Sequence, residues 1–409
     1  MEHMSVEQFL GMLVMVLVTA KLFGALAQRL GQPAVLGELI AGVVLGMSVA
    51  GVVNPKNETL HLLAELGVII LLFEIGLETD LRKLIQVGGA ATTVAVVGVV
   101  LPFALGYGLC VLLGLDGLVP VVAGATLTAT SVGITARVLA DLNRLQEPES
   151  QIILGAAVID DVVGLIILAV VTGLTQGQEV TTLGVLQTTG IAFGFLIGTL
   201  LVGRFVVPPV IQFLSKVDLP GTPTILALVL AFSLAWLAAG AGSAVIIGAF
   251  AAGLLLRDTP QAHAMEKGVA HLGHFFVPIF FISVGAAVDV KVLNPFDPAN
   301  SWSLFIGLVL IVAAVVGKFL AGYAPFWFKG KKHVIGIGMI PRGEVGLIFA
   351  QMGLSKNVLS PAQFSALTLM VMVTTFMAPP LLKWFFPPVA PQTPPPEEYQ
   401  GIEELVTEA

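Results

Sequence analysis

Long apolar stretches, separated by short connections that carry charges, prolines or glycines, follow one another through nearly the whole sequence. A helix needs about 20 mainly apolar residues to cross a membrane, and it satisfies its backbone amides internally. We count thirteen such stretches, which predict thirteen membrane-spanning α-helices. Their approximate bounds are 8–28, 33–53, 60–78, 86–114, 118–141, 150–174, 181–213, 222–241, 243–256, 270–289, 302–326, 333–354 and 362–386.

The composition agrees with a membrane protein. Only 11% of the residues are charged, whereas soluble domains have about 25%, so a water-soluble globular chain is excluded. The stretches also lack the alternation of a membrane β-barrel. We predict an all-α, polytopic membrane domain over 1–386 and a disordered, Pro-rich and acidic cytoplasmic tail over 387–409. The net charge of −7 gives no basic surface for nucleic acid.

Lysine and arginine are unevenly distributed between the two sets of connections. Odd-numbered connections hold eleven of them and even-numbered ones three, and cytoplasmic loops carry this excess. The pattern predicts an N-terminus outside and a C-terminus in the cytoplasm, in a membrane of the bacterial inner-membrane type. The eleven are Arg29, Arg82, Lys83, Arg137, Arg144, Lys216, Arg257, Lys267, Lys329, Lys331 and Lys332, and the three are Lys56, Lys291 and Lys356.

Ionisable residues concentrate at four places inside the predicted spans. A charged group at the centre of a span costs at least about 2.5–3.5 kcal/mol, so such residues mark transport pathways more often than packing. The residues are Glu74 in span 3, Asp160 and Asp161 in span 6, Lys318 in span 11, and Arg342 and Glu344 in span 12.

Asp160 and Asp161 are consecutive, so their side chains point about 100° apart on a helix. One can face a water-filled cavity while the other faces a neighbouring helix. A lysine paired with one carboxylate holds its ammonium charged, and a cation can then compete with protons for the carboxylate oxygens. That competition is the elementary requirement of a cation/proton exchanger. The alternative is an inert ion pair of Asp160 and Lys318, with Asp161 as a bystander.

Two spans are predicted to be interrupted helices. Span 5 contains a cluster of Thr and Ser residues that compete for backbone hydrogen bonds, although ordinary small-residue packing is an alternative. In span 12 a proline removes a backbone donor. If the chain divides into two halves, spans 1–6 and spans 8–13, each interrupted span is the fifth of its half. This arrangement predicts inverted repeats whose interrupted helices cross at a site near the middle of the membrane. The residues predicted to line it are Thr130, Ser131, Pro341, Arg342 and Gly343, with Glu74, Glu344 and Thr128 in supporting positions.

Seven segments together give the sequence a resemblance to the cation:proton antiporter superfamily. It is most similar to NapA-type sodium/proton antiporters and to the membrane domains of Kef-type potassium/proton antiporters, over nearly all of residues 8–386. The segments are Val-Leu-Gly-Glu-Leu-Ile-Ala-Gly (35–42), Leu-Phe-Glu-Ile-Gly-Leu-Glu-Thr-Asp (72–80), Ala-Thr-Ser-Val (129–132), Ile-Asp-Asp (159–161), Gly-Ala-Phe-Ala-Ala-Gly (248–253), Phe-Phe-Ile-Ser-Val-Gly (280–285) and Pro-Arg-Gly-Glu (341–344).

The resemblance implies that Asp161 binds the transported ion, Na⁺ or Li⁺, and that Asp160 pairs with Lys318. It implies a homodimer in which a mobile core, with site helices near 118–174 and 302–354, alternates like an elevator against a dimerisation scaffold. Family members with an Asp-Asp pair are generally electrogenic, so we expect two protons to be exchanged per cation. No cofactor is expected.

Three points stay open from the sequence alone. Arg342 can pair with Glu74, Glu344 or Asp160. The similarity of 72–80 to Kef-type systems keeps a K⁺/proton antiporter as the alternative function. An organic-solute symporter on the same fold would not require the two aspartates and the lysine, and a channel would pass steady current beyond a fixed coupling ratio.

Overall fold

The computed structural model describes residues 5–55, 57–175, 182–214, 221–288, 290 and 301–388. Within these residues the chain forms sixteen α-helices and no β-strand, with one isolated bridge between Gly46 and Val53. The predicted all-α architecture is therefore confirmed. The helices are α1 (Val6–Arg29), α2 (Ala34–Leu45), α3 (Glu58–Glu78), α4 (Leu81–Gln86), α5 (Gly88–Leu112), α6 (Val119–Thr128), α7 (Val132–Asp141), α8 (Pro148–Thr175), α9 (Thr182–Leu214), α10 (Thr222–Gly240), α11 (Val245–Arg257), α12 (Ala262–Ala286), α13 (Ser301–Ala321), α14 (Lys332–Gly338), α15 (Glu344–Ser355) and α16 (Pro361–Phe385).

The described helices follow the hydropathy pattern closely. Ten helical segments are long and apolar enough to cross a membrane, with the α6–α7 pair taken as one segment. Three shorter helices, α2, α11 and most of α15, are also apolar. The short helices α4 and α14 complete the described set. Each of the thirteen predicted stretches thus contains helix. The two predicted interruptions are present, between α6 and α7 and between α14 and α15.

Two helix bounds differ most from the prediction. Helix α2 ends at Leu45 rather than near residue 53, because Gly46 is extended and Val53 N–H turns back to the Leu45 carbonyl at 2.8 Å. Helix α12 begins at Ala262 rather than near residue 270. Its first two turns contain polar residues that lower the hydropathy without ending the helix.

Seven of the cations that the sequence assigned to odd-numbered loops lie in helices, namely Arg29, Arg82, Lys83, Arg137, Arg257, Lys267 and Lys332. Arg137 is in α7 and Lys267 is in α12, each near the end that continues into an odd-numbered connection. We call the side of the molecule that carries Arg29, Arg82 and Arg144 the basic-loop side. The predicted tail starts at Pro387, and its residues 389–409 lie outside the described residues.

The helices pack as two groups joined by a few contacts. The first group is α1, α2, α3, α10, α11 and α12, and the second is α5, α6, α8, α13, α14, α15 and α16. Helix α9 packs on α11 of the first group and on α8 of the second. Helix α7 packs on α8 and α16 and also contacts α2 and α3, so it lies where the two groups meet.

Glycines let the helices of the first group approach closely. A Cβ atom built on Gly285 would lie 2.9 Å from the Cα of Gly42, and one on Gly253 would lie 2.7 Å from the Cα of Gly76. These pairs fix the contacts of α2 with α12 and of α3 with α11, as small residues do in membranes. The outward faces carry large exposed apolar side chains, such as Leu22.

Candidate functional site

The two helix interruptions lie directly against each other. The backbone N–H of Ser131 donates to the carbonyl of Pro341 at 2.9 Å. A Cβ atom at position 343 would lie 2.6 Å from Oγ of Ser131, so only glycine fits there without displacement. The crossing therefore joins spans 5 and 12 through backbone contact.

Four carbonyls at the end of α14 all find donors. Carbonyls after a helix C-terminus have no partner within the helix, and leaving them buried and unpaired is costly. The bonds are Thr135 Oγ1 to Gly338 O (2.7 Å), Arg342 Nη1 to Met339 O (3.2 Å), Arg342 Nη1 to Ile340 O (2.8 Å) and Ser131 N to Pro341 O (2.9 Å). Helix α7 and Arg342 thus stabilise the broken end of α14.

Arg342 is fully buried and donates to carbonyls rather than to a carboxylate. Its Nη2 atom also lies 3.4 Å from the carbonyl of Ala314 in α13. Among the side chains that the structure describes, Arg342 forms no ion pair, and Asp160 is the carboxylate that acts on it through space. A guanidinium is favourable here because a helix C-terminus carries partial negative charge.

Asp160 receives two hydrogen bonds on one oxygen. Lys318 Nζ and Thr130 Oγ1 each lie 2.6 Å from its Oδ2 atom. All three residues are buried, with Lys318 at 0% exposure. The other oxygen, Oδ1, has no hydrogen-bond partner within the described part of the chain. The carboxylate is therefore held from one side only.

The approach of Lys318 depends on a glycine in α5. A Cβ atom on Gly98 would lie 3.4 Å from Lys318 Nζ, so a larger side chain would compete for the space of the ammonium. Helix α5 packs between α8 and α13. The small residue at position 98 lets the lysine of α13 extend to the aspartate of α8.

Asp161 follows Asp160 on α8 and is half-buried. Lys318 interacts electrostatically with both carboxylates, and more strongly with Asp160. The two aspartates therefore occupy different surroundings, one enclosed and ion-paired, the other more open, as a separation of about 100° on a helix requires.

The structure does not bring every predicted residue to this cluster. Thr128 donates to the carbonyl of Ala125 in its own helix at 2.7 Å. Glu74 of α3 packs over Gly273 of α12, and its strongest charged neighbour is Arg137. The side chain of Glu344 lies outside the described residues.

Two threonines at the crossing did not stand out in the sequence. Thr135 donates to Gly338, and Thr375 of α16 donates to the carbonyl of Arg342. The only available signal was their polar character within otherwise apolar spans. Together these contacts hold the backbone of the two interruptions in place around Asp160, whose carboxylate accepts hydrogen bonds on one oxygen only. With the second carboxylate beside it, the arrangement can bind and release protons and a small cation.

Known proteins are similar to this chain in sequence and in fold. A family model described as sodium/hydrogen exchanger, transmembrane, matches residues 14–386. The high-affinity Na⁺/H⁺ antiporter NhaS3 of Synechocystis sp. is 42% identical over 91% of this chain and 89% of its own. The Na⁺/H⁺-K⁺ antiporter GerN of Bacillus cereus is 37% identical over 93% of this chain and 96% of its own.

A solved structure has a similar fold at low sequence identity. The sodium proton antiporter MjNhaP1 from Methanocaldococcus jannaschii superposes with a TM-score of 0.65 and is 19% identical. The match covers 91% of this chain and 95% of that one.

Proposed function

This chain belongs to the family of transmembrane sodium/hydrogen exchangers and is a sodium/proton antiporter, and we propose that Asp160 and Asp161 are the residues that perform the exchange. The observation that carries this assignment is the enclosed carboxylate of Asp160, bonded on Oδ2 by Lys318 and Thr130. Asp161, the more open of the two, binds the cation. A monovalent cation needs anionic oxygen ligands once it sheds water, and a carboxylate supplies them.

The exchange follows from competition for the same oxygens. Protons on the aspartates leave when Na⁺ binds, and Na⁺ leaves when protons return. Lys318 balances the charge of Asp160 whenever Asp161 is occupied by the cation. The site lies at the crossing of two interrupted helices. A movement of the helices that carry it therefore exposes it to one side of the membrane at a time.

The antiporter is electrogenic in this proposal. One Na⁺ replaces two protons, so each cycle moves one elementary charge, which is worth about 2.3 kcal/mol per 100 mV. The consecutive aspartates support this stoichiometry, since two carboxylates titrate at one site. Lys318 is the alternative carrier of the second proton.

Potassium is the second candidate cation. The relative GerN is described as exchanging K⁺ as well as Na⁺, while the Kef-type potassium-efflux relatives are more distant. Li⁺ is the other expected substrate, because it shares the charge and the preference for oxygen ligands.

The assembly and orientation complete the proposal. The chain forms a homodimer through the first helix group, and the second group, with α7, moves as the transport core. The basic-loop side faces the cytoplasm of a bacterial-type inner membrane. The excess of eleven cations over three and the packing of the helices in two groups support these assignments.

Purified protein in liposomes tests the exchange. An acid-interior liposome with an internal pH dye is given Na⁺, Li⁺ or K⁺ separately. Na⁺ and Li⁺ should dequench the dye, and K⁺ should act only at higher concentration. The wild-type protein failing to respond to any of the three cations would contradict the proposal.

A further inference from the structure

A second cluster of ionisable residues lies on the basic-loop side, away from Asp160. Glu38, in the second turn of α2, is 4% exposed. Its Oε2 atom has no hydrogen-bond partner among the described residues. A buried carboxylate oxygen without a donor is costly, so its charge needs a cation nearby.

Arg137 of α7, a helix that contacts α2, is the cation that attracts Glu38 most strongly, through space and without a direct ion pair. Its Nε atom lies 3.1 Å from Oδ1 of Asp141 in the same helix. Glu38 of α2 and Glu74 of α3 are its next strongest charged partners. Arg137 therefore forms a direct ion pair with Asp141 and acts through space on Glu38 and Glu74, which belong to the first helix group. The other ionisable groups around the cluster are Lys21, Glu78, Glu266, His271 and His274.

Helix α7 connects this cluster to the ion site. Thr130, two residues before the helix, bonds to Asp160, and Ser131 at its N-cap bonds to α14. Arg137 is six residues beyond Ser131, about 9 Å along the helix. The side chain that holds α7 against the first group is thus rigidly coupled to the residues that hold the carboxylate.

A small pocket lies on the opposite side of the same boundary. It has a volume of about 10 Å³, lies between α2 and α12 on one side and α15 and α16 on the other, and reaches Gly343. Its lining is mainly apolar and includes Leu39 and Thr375. The two helix groups therefore meet through charged residues on the basic-loop side and through mainly apolar side chains around the pocket on the other.

We propose that Glu38 and Arg137 form a charge clasp that closes the basic-loop side and sets the balance between the two facing states of the antiporter. This inference rests on the proposed movement of the second helix group with α7. When α7 moves away from α2, the attraction between Glu38 and Arg137 is lost. The Arg137–Asp141 pair is kept, because both residues belong to α7. Both clasp residues position the site without touching the cation.

An introduced cysteine reports the opening of the clasp. Cys110 is the sole cysteine in the sequence, so C110S gives a cysteine-free background. Leu71 of α3 is 2% exposed and faces α7, since a Cβ atom on Gly133 would lie 3.7 Å from its Cδ2 atom. The thiol of the variant L71C is therefore shielded while α7 stays against α3. Its rate of modification by a membrane-impermeant maleimide added on the basic-loop side measures opening.

In the C110S/L71C background, the nearly isosteric change Glu38→Gln should raise the maleimide modification rate at least about fivefold, the lower range of coupling effects. The apparent KM for Na⁺ on that side should fall while exchange is retained. Glu65→Gln is the matched control, because Glu65 lies on α3 near its other end, paired with His61 at 3.3 Å. The control should change neither the modification rate nor the KM.

The double variant Glu38→Gln/Arg137→Gln should open no more than Arg137→Gln alone, since that single change already removes the Glu38–Arg137 attraction. Arg137→Lys and Glu38→Asp keep the charges and should raise the maleimide modification rate less than the Gln variants. They also allow the test to be made if Arg137→Gln does not fold. An unchanged modification rate in folded Glu38→Gln, or an equal rise in Glu65→Gln, overturns the clasp. Wild-type liposomes without any Na⁺/H⁺ exchange would instead reject the proposed function.

Discussion

Lys318 and Asp160 form an ion pair of 2.6 Å in which neither side chain is more than 1% exposed. Burying both charges is expensive, and the pair is retained because its partners compensate each other and Thr130 adds a donor. Such a pair gives little net stability, yet removing one member leaves the other buried without its direct partner.

Lys318→Gln should therefore destabilise the protein by about 3–5 kcal/mol, the cost of leaving a buried charge without its partner. Thermal unfolding of the detergent-solubilised protein measures the loss. Lys356→Gln, at an exposed position after α15, is the control and should leave the melting temperature unchanged. Equal melting temperatures for Lys318→Gln and wild type would contradict the ion pair.

The same Lys318→Gln variant separates the two carriers of the second proton. If Asp160 carries it, Na⁺ should still evoke a transient current on a solid-supported membrane. If Lys318 carries it, exchange should persist without current. A wild-type protein that moves protons with Na⁺ but produces no current would exclude electrogenic exchange altogether.

Asp161→Asn should abolish exchange while the protein still folds, because an amide supplies no anionic ligand for the cation. The liposome dye assay measures exchange, and gel filtration checks folding. Asp116→Asn, at an exposed position in the loop after α5, provides the matched control and should exchange normally. Wild-type rates from purified Asp161→Asn would falsify the assignment of the cation site.

The apparent affinity for Na⁺ should depend on pH. Protons and Na⁺ compete for the aspartates, so lowering the pH should raise the KM for Na⁺, by about tenfold per pH unit where one proton competes. The maximal rate at saturating Na⁺ should change little. Initial rates over a Na⁺ series at several pH values test this, and a KM that is flat with pH would indicate separate sites.

Thr130→Val should weaken the hold on Asp160. It removes a hydroxyl that donates to a buried carboxylate, and a hydrogen bond to a charged group contributes about 1.5–3 kcal/mol. Thr130→Ser keeps the donor and should retain exchange and stability. Thr92→Val is the control, since the Thr92 hydroxyl donates only within its own helix. A Thr130→Val protein as stable and active as Thr130→Ser would show that the bond is dispensable.

Gly343→Ala should force the two interruptions apart, because the new methyl would lie 2.6 Å from Ser131 Oγ. We expect a loss of about 1–3 kcal/mol in stability and slower exchange. Removing the opposing side chain in Gly343→Ala/Ser131→Gly should restore part of both. No recovery in the double variant would indicate that another contact requires glycine at position 343.

Hydropathy could predict the helices because each span must satisfy its own backbone in lipid. Pro341 and the threonines near 130 likewise identified both interruptions, since these residue types disfavour regular helix. Hydropathy gave the wrong helix bounds where the chain is apolar without being helical, or helical without being apolar. The chain after Leu45 is apolar but turns, and the start of α12 is polar but helical.

The partners of Arg342 could not be predicted for a different reason. The sequence suggested a carboxylate, but the guanidinium binds backbone carbonyls, and carbonyls are present at every residue. Which of them lacks a partner depends on where α14 ends and how α7 crosses it. Glu74 illustrates the same limit, since its place beside Arg137 follows from the packing of α3.

Several contacts of the site join residues that are far apart in the sequence, so they can form only late in the synthesis of the chain. Thr135 and its acceptor at Gly338 are 203 residues apart, and Asp160 precedes Lys318 by 158. A ribosome adding roughly 5–20 residues per second produces the distant partner about 10–40 s after Thr135. During that interval these groups lack their native partners, and hydrocarbon supplies none. We therefore expect a nascent chain stopped before α14 to keep Asp160 in contact with water.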